Sequence, residues 1–187
     1  MRVPVALKKS WRMFNHGPVT LVSASAGGVD NVMAAAWVTP LDFDPPKLTV
    51  VLASDTYTRA LAERSGELML QVPTVSMLSV IEGVGACSGR DVDKWTKFAI
   101  AREREDGVAA PLVAGCVGWM AAKIIDEPRL ATEYDLFICQ GFAAWADDRA
   151  FSEGRLRDDV PPELRTVHHI AGGTYIVDGD LVRASRG

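Results

Sequence analysis

The chain has 187 residues, 48% of them hydrophobic and 24% charged, with a net charge of −4 at neutral pH. That apolar share supports a sizeable core and excludes a disordered chain, and the length fits one domain or one domain with an embellishment. Charges of both signs are scattered, so neither a nucleic-acid-binding stripe nor a surface for anionic membranes is indicated.

The opening MRVPVALKKSWRMF carries basic residues with no apolar stretch behind them. No run approaches the ~18 apolar residues of a membrane span. The three cysteines, Cys87, Cys116 and Cys139, are odd in number, far apart and without CxxC spacing. They read as unpaired thiols of a soluble, cytoplasmic protein and suggest neither a disulfide framework nor a metal site.

Pro18 to Ser23 (PVTLVS) predicts a first strand, and Gly27-Gly28 with Asp30-Asn31 supplies turn chemistry after it. The run containing Ala34-Ala35-Ala36-Trp37 is then the returning arm of a hairpin. Alanine is a poor strand former, so three in succession ask for a reason. Beyond Pro40 and Pro45-Pro46, KLTVVL (47–52) predicts a buried strand. Thr56 or Thr58 can cap a following helix with Gly66 at its end. Glu67 to Val72 alternates as a strand, and Thr74 can cap a second helix ended by Gly83 and Gly85. A short helical piece fits Asp91 to Phe98.

Cys116 to Ile125 and Tyr134 to Trp145 predict long strands joined by IDEPRLATE. Asp147 to Val167 reads as a charged surface excursion, and Thr174 to Val177 as a final short strand after Gly172-Gly173. About six or seven strands and two or three helices without βαβ alternation predict a mainly β protein, an antiparallel barrel with helices outside. Neither GxGxxG after a strand nor GxxxxGK[ST] is present, which argues against Rossmann and P-loop sites.

A planar ligand lying against a sheet needs close backbone approach, and Ala34, Ala35 and Ala36 beside Trp37 would permit it. Ordinary packing beneath a helix explains the alanines equally well. Ser54, Thr56, Tyr57 and Thr58 place hydroxyls at a helix N-terminus next to Arg59, a setting for a phosphate, though N-capping accounts for one of them. Ser88-Gly89-Arg90, with Lys94 one turn on, is either a donor-rich loop or a solvated turn. Cys87 beside that cationic loop invites thiol chemistry, but a small core residue would serve as well.

Taken together, NVMAAAW, SDTYT, LMLQVPT, CSGRDVDKW and YDLFICQGFAAW resemble the flavin reductase-like domain, and its flavoredoxin-type members more closely. The resemblance runs from about Pro18 to Trp145 with a weaker echo at HHIAGGTY, and SGRDVDKW is its most specific block. It implies an FMN-binding split barrel, a Greek-key antiparallel β-barrel that forms homodimers. The chain is then one domain over residues 1–187, with a motif-bearing core at about 18–145 and a peripheral excursion and strand at 147–187. By resemblance, Ala34 to Val38 form the strand against the flavin ring, flanked by Asn31 and Trp37. Ser54, Tyr57 and Thr58 hold the ribityl chain and phosphate, while Ser88, Gly89, Arg90 and Lys94 close the other side. Lys94 would sit either at the phosphate or at the N1–C2=O edge of the ring. No metal is implied.

Where related sequences often carry a histidine before Asp-Leu-Phe, this chain has Tyr134. That replaces a group titrating near neutrality with a phenol, and His168 or His169 is the candidate to compensate. Tyr134 and His169 are therefore the candidates near the flavin face, and no catalytic residue is assigned. The resemblance leaves three functions open. One is an NAD(P)H-dependent flavin reductase, with NADH or NADPH as co-substrate. A second is an FMN electron carrier reduced by a partner protein. The third is a split-barrel binder of another cofactor, such as haem or a deazaflavin.

Overall fold

The computed structural model describes residues 1–184. In chain order the first strands are β1 (Arg2–Pro4), β2 (Thr20–Ala26), β3 (Val29–Ala35), β4 (Val38–Phe43), β5 (Pro46–Val51) and β6 (Glu67–Val72). They are followed by β7 (Arg102–Glu103), β8 (Leu112–Val113), β9 (Gly118–Ile125) and β10 (Leu136–Asp147). The last are β11 (Phe151–Ser152), β12 (Arg155–Leu156), β13 (Val167–Ala171) and β14 (Thr174–Val177). The α-helices are α1 (Leu7–Ser10), α2 (Tyr57–Ser65), α3 (Leu78–Gly85), α4 (Lys94–Lys97) and α5 (Pro128–Tyr134).

Eight strands form one antiparallel sheet in the order β3-β2-β6-β9-β10-β5-β4, with β1 also pairing β10. Three two-stranded ribbons, β7–β8, β11–β12 and β13–β14, lie off it. This is the mainly β, antiparallel arrangement that the strand-and-helix pattern predicts.

Side-chain alternation sorts the core into two layers. Leu68, Leu70 and Val72 of β6 and Met120 and Ala122 of β9 enter one cluster, while Met69, Trp119 and Ala121 enter the other. Leu61 and Ala62 bring α2 onto the first layer, and Ile81 and Val84 bring α3 onto the second. Both helices contact β3, so this strand is held from two sides. Gly66 ends α2 in the left-handed conformation at φ 73°, where its missing Cβ removes the usual penalty.

Four features differ from expectation. The strand expected to continue through Ala34–Val38 stops at Ala35, bends at Ala36-Trp37 and resumes as β4 at Val38. β4 contains Pro40 yet is a strand, because it lies at the end of the sheet where a missing N–H breaks no ladder. The link IDEPRLATE forms α5, with a proline in its first turn where no intrahelical donor is required. Tyr175 and its neighbours pair with β13, which alternation had not marked because its outer residues are exposed.

Candidate functional site

The site grows from the alternation of β3. Val32 and Ala34 face the layer that α3 covers, whereas Met33 and Ala35 face the layer beneath α2. Ala34 meets α3 where the helix offers Gly85, close enough that a Cβ placed on that glycine would lie 3.9 Å from the Ala34 methyl. Small residues on both elements leave two adjoining cavities, of about 260 and 400 Å³, that share Ala34, Gly85 and Ala86 as walls.

The smaller cavity is polar at its far end. Asp55, Thr56, Tyr57 and Thr58 reach it from the start of α2, and Cys87, Ser88 and Gly89 from the loop after α3. Asn31 and Lys94 complete it. The first backbone N–H groups of a helix have no partner within the helix, so the start of α2 adds donors to these hydroxyls. Asn31 is 3% exposed and donates from Nδ2 to Thr58 Oγ1 at 2.9 Å. Its amide also crowds Gly89, whose hypothetical Cβ would stand 2.1 Å from Asn31 Oδ1. Glycine at 89 is therefore a matter of space.

Lys94 is the strongest electrostatic feature. It is 4% exposed, and its ammonium donates to the carbonyls of Val84 at 2.7 Å and Val32 at 3.0 Å. Burial pushes its pKa down, with nearby Cys87 acting in the other direction. Among the described residues it makes no salt bridge, so a buried cation with a third N–H borders this cavity unpaired with Asp55, the one acidic residue of the lining.

The larger cavity is lined by Ala34, Ala35 and Ala36, by Ile81 and Glu82 of α3, and by His169, Gly172, Gly173 and Tyr175. The β13–β14 ribbon is fastened over it by a hydrogen bond from the Tyr175 hydroxyl to Glu82. Burial, followed by the bond to Glu82 and its charge, pushes the Tyr175 phenol up to about 12. The His169 ring stands edge-on to Tyr175 with centroids 5.2 Å apart.

The structure thus gathers Asn31, Ala34, Tyr57, Thr58, Ser88, Gly89 and Lys94 at one cavity and Ala34, Ala35, Ala36 and His169 at the next. Ala35 reaches the cavity but belongs to the packed layer beneath α2, being 6% exposed. Arg90 stands behind the smaller cavity. It donates to the Asp55 carbonyl at 2.6 Å and lies 5.1 Å over the Tyr57 ring, so it fixes the loop against α2. Ser88 Oγ in turn accepts the Arg90 N–H at 3.1 Å.

Besides Arg90, five expected residues are not brought to these walls. Val38 is 3% exposed within the packed layer, because β4 begins there and turns its side chain inward. Trp37 sits at the bend and is 74% exposed, and Ser54 is exposed ahead of α2. Tyr134 closes α5 and is 59% exposed, outside both cavities. His168 points to the other side of the ribbon from its neighbour, toward Asp178. Reading the sequence missed Glu82, Gly85 and Ala86. Gly85 carries a signal, a glycine where a helix stops, but that signal does not distinguish a helix end from a wall that must be kept free of side chains.

Residues 13–162 match the flavin reductase like domain. The chain belongs to that family. It is 35% identical over 185 residues to the uncharacterized protein YddH of Escherichia coli (strain K12), with 97% of each chain covered. A solved structure, an FMN-binding domain of a flavin reductases-like enzyme from Shewanella baltica OS155, is 44% identical. It superposes with a TM-score of 0.97, over 99% of this chain and 98% of that one. Flavoredoxin of Desulfovibrio vulgaris (Miyazaki F) shares the fold at 22% identity and a TM-score of 0.78, with 90% of each chain covered. The fold is the FMN-binding split barrel of the flavin reductase-like family.

Two buried thiols lie apart from these cavities. Burial pushes Cys139 up to about 12 and Cys116 in the same direction, whereas Cys87 lines the smaller cavity. Among the described residues, no helix is long and apolar enough to cross a membrane.

Proposed function

We propose that this chain is a single FMN-binding domain that acts as an NAD(P)H-dependent flavin reductase. The observation that carries the reading is the sequence of surfaces along one groove: the side-chain-poor wall of Ala34, Gly85 and Ala86, then the donor-rich end at Thr58, Ser88 and Lys94. The cavities, about 260 and 400 Å³, together have the size of a typical ligand pocket, about 300–1,000 Å³. The donors fit a phosphate dianion, and the wall fits a flat ring. The FMN-binding relative from Shewanella baltica, at 44% identity, supports the same cofactor.

When bound, FMN supplies a ring that accepts a hydride at N5 from C4 of a nicotinamide. The chain needs no acid–base triad for this. Thr58, Ser88 and the first turn of α2 hold the phosphate, and Lys94 places positive charge at the same end. Ala34 lets the ring approach the strand. The ribbon carrying His169 and Tyr175 forms one wall of the larger cavity, which leaves room for a second planar reactant. The unpaired thiols support action in a reducing cytoplasm.

We further propose a homodimer. Trp37 is exposed at the bend before β4, and Leu41 and Phe43 are exposed on β4, whose free edge ends the sheet. The second reading, an FMN electron carrier, would place a donor protein on that same apolar edge. Anaerobic mixing of the FMN-loaded protein with NADH and then NADPH separates the two. Rapid bleaching of the flavin by either nucleotide is expected. A flavin that neither nucleotide reduces, yet dithionite does, would leave the carrier.

A further inference from the structure

On the opposite side of the β13–β14 ribbon from the groove, three side chains from distant parts of the chain converge. His16 follows the first helical turns, His168 lies on β13, and Asp178 follows β14. Ligand atoms of all three lie within 4.8 Å of one another. We infer that His16, His168 and Asp178 form a site for a divalent transition-metal ion of the zinc type, which fastens the C-terminal ribbon to the N-terminal segment.

The hydrogen bonds dictate the argument. His168 Nδ1 lies 3.0 Å from the Gly17 carbonyl, which can only accept, so Nδ1 carries a proton. In the neutral ring Nε2 is then a lone pair, and it faces Asp178 Oδ1 at 2.6 Å. Two lone pairs at that distance repel, so a cation belongs between them. A proton would satisfy this pair as well, and one on His16 Nε2 would satisfy Thr166, so the metal reading rests on the convergence of two imidazoles on one carboxylate, with each proton giving way to the ion. His16 Nε2 approaches the other carboxylate oxygen of Asp178 at 3.3 Å and Thr166 Oγ1 at 2.8 Å. Its own Nδ1 is buried without a partner, so the ring is held only from the Asp178 side.

The surroundings match a metal centre. A backbone carbonyl behind one imidazole fixes the ring so that its other nitrogen can ligate, and the Thr166 hydroxyl donates to the carboxylate in the same supporting way. Two imidazoles and one carboxylate suit zinc and its neighbours and disfavour magnesium or calcium. With metal–ligand bonds of about 2.0–2.2 Å, tetrahedral donors stand about 3.3 Å apart. Ligation therefore asks the closest pair to open by less than about 1 Å, a side-chain adjustment. The three side chains are 22%, 27% and 29% exposed, leaving a fourth position open to water. Because His169 and Tyr175 lie on the same ribbon, the ion would also steady one wall of the larger cavity.

Equilibrium dialysis of the full chain against zinc(II), after chelator treatment and with no histidine tag, tests the site. One zinc per chain is expected, with cobalt(II) giving the intense visible bands of a tetrahedral complex that zinc then abolishes. Loss of an outer-shell partner alone costs about 10–100-fold in metal affinity, so H168Q and D178N should each lose more than that. Far-UV circular dichroism identifies whether each variant is folded. A parent chain that retains no zinc would overturn the inference, as would folded variants that bind zinc as tightly as the parent.

Discussion

Gly89 tests the site's packing because its role is purely steric. It is absent from the residues with positive φ, so alanine meets no backbone strain there. The added methyl would instead stand 2.1, 2.5 and 2.8 Å from Oδ1, Cγ and Nδ2 of Asn31. Asn31 is buried and tied to Thr58 and cannot swing away freely. Relief requires it to leave Thr58, itself fully buried, with a weakened partner. Overpacking costs about 1–3 kcal/mol and a lost buried hydrogen bond a similar amount, so Gly89→Ala should destabilise by about 2–4 kcal/mol. FMN affinity should fall at least about tenfold, or 1.4 kcal/mol, because both displaced groups line the cavity. The decisive assay is a double-mutant cycle with Asn31→Ala in urea denaturation. All three clashing atoms vanish in that background, so Gly89→Ala should then cost almost nothing, with a coupling energy of about 2–4 kcal/mol, the whole cost of the single variant. Additive effects, or a single variant within about 0.5 kcal/mol of the parent, would refute the steric account.

The neighbouring alanines should behave oppositely when enlarged. Ala34→Leu should abolish FMN uptake in a folded protein, whereas Ala35→Leu should destabilise the fold by about 1–3 kcal/mol because it overpacks the layer beneath α2. Flavin titration and thermal melting of both variants check this. Thr58→Ala combined with Ser88→Ala should weaken FMN at least about tenfold more than riboflavin, and fluorescence titration with the two flavins reads the difference. Tyr175 gives a pH dependence. Its folded pKa, about 12, is raised above the ordinary 10, so its stabilising contribution is complete below pH 10 and is lost as pH rises toward 12. Tyr175→Phe should flatten that alkaline loss in denaturation midpoints. A parallel decline in both proteins would count against it.

Much of the fold was legible because local chemistry and tertiary packing agree. Glu67 to Val72 alternates and is a strand over those same residues, and Gly66 ends α2 where left-handed geometry is needed. The failures arose where context overruled local signals. Pro40 reads as a boundary between two runs, yet it lies inside β4, because the sheet edge tolerates it. IDEPRLATE looked like a connection until Pro128 began a helix. Residue types and spacing singled out Thr58, Ser88, Gly89 and Lys94, and the family resemblance added Asn31; all five line one cavity. The sequence could not tell which face each alanine presents, because the strand's end at Ala35 is set by the bend into β4. It also could not pair Glu82 with Tyr175, since that contact joins elements 93 residues apart.

The most direct test of the account is a crystal structure of the protein with FMN. The account predicts the ring against Ala34 and the wall of Gly85 and Ala86, with the phosphate among Thr58, Ser88 and Lys94. Flavin density away from this groove, or a phosphate that contacts neither α2 nor the Ser88 loop, would contradict it.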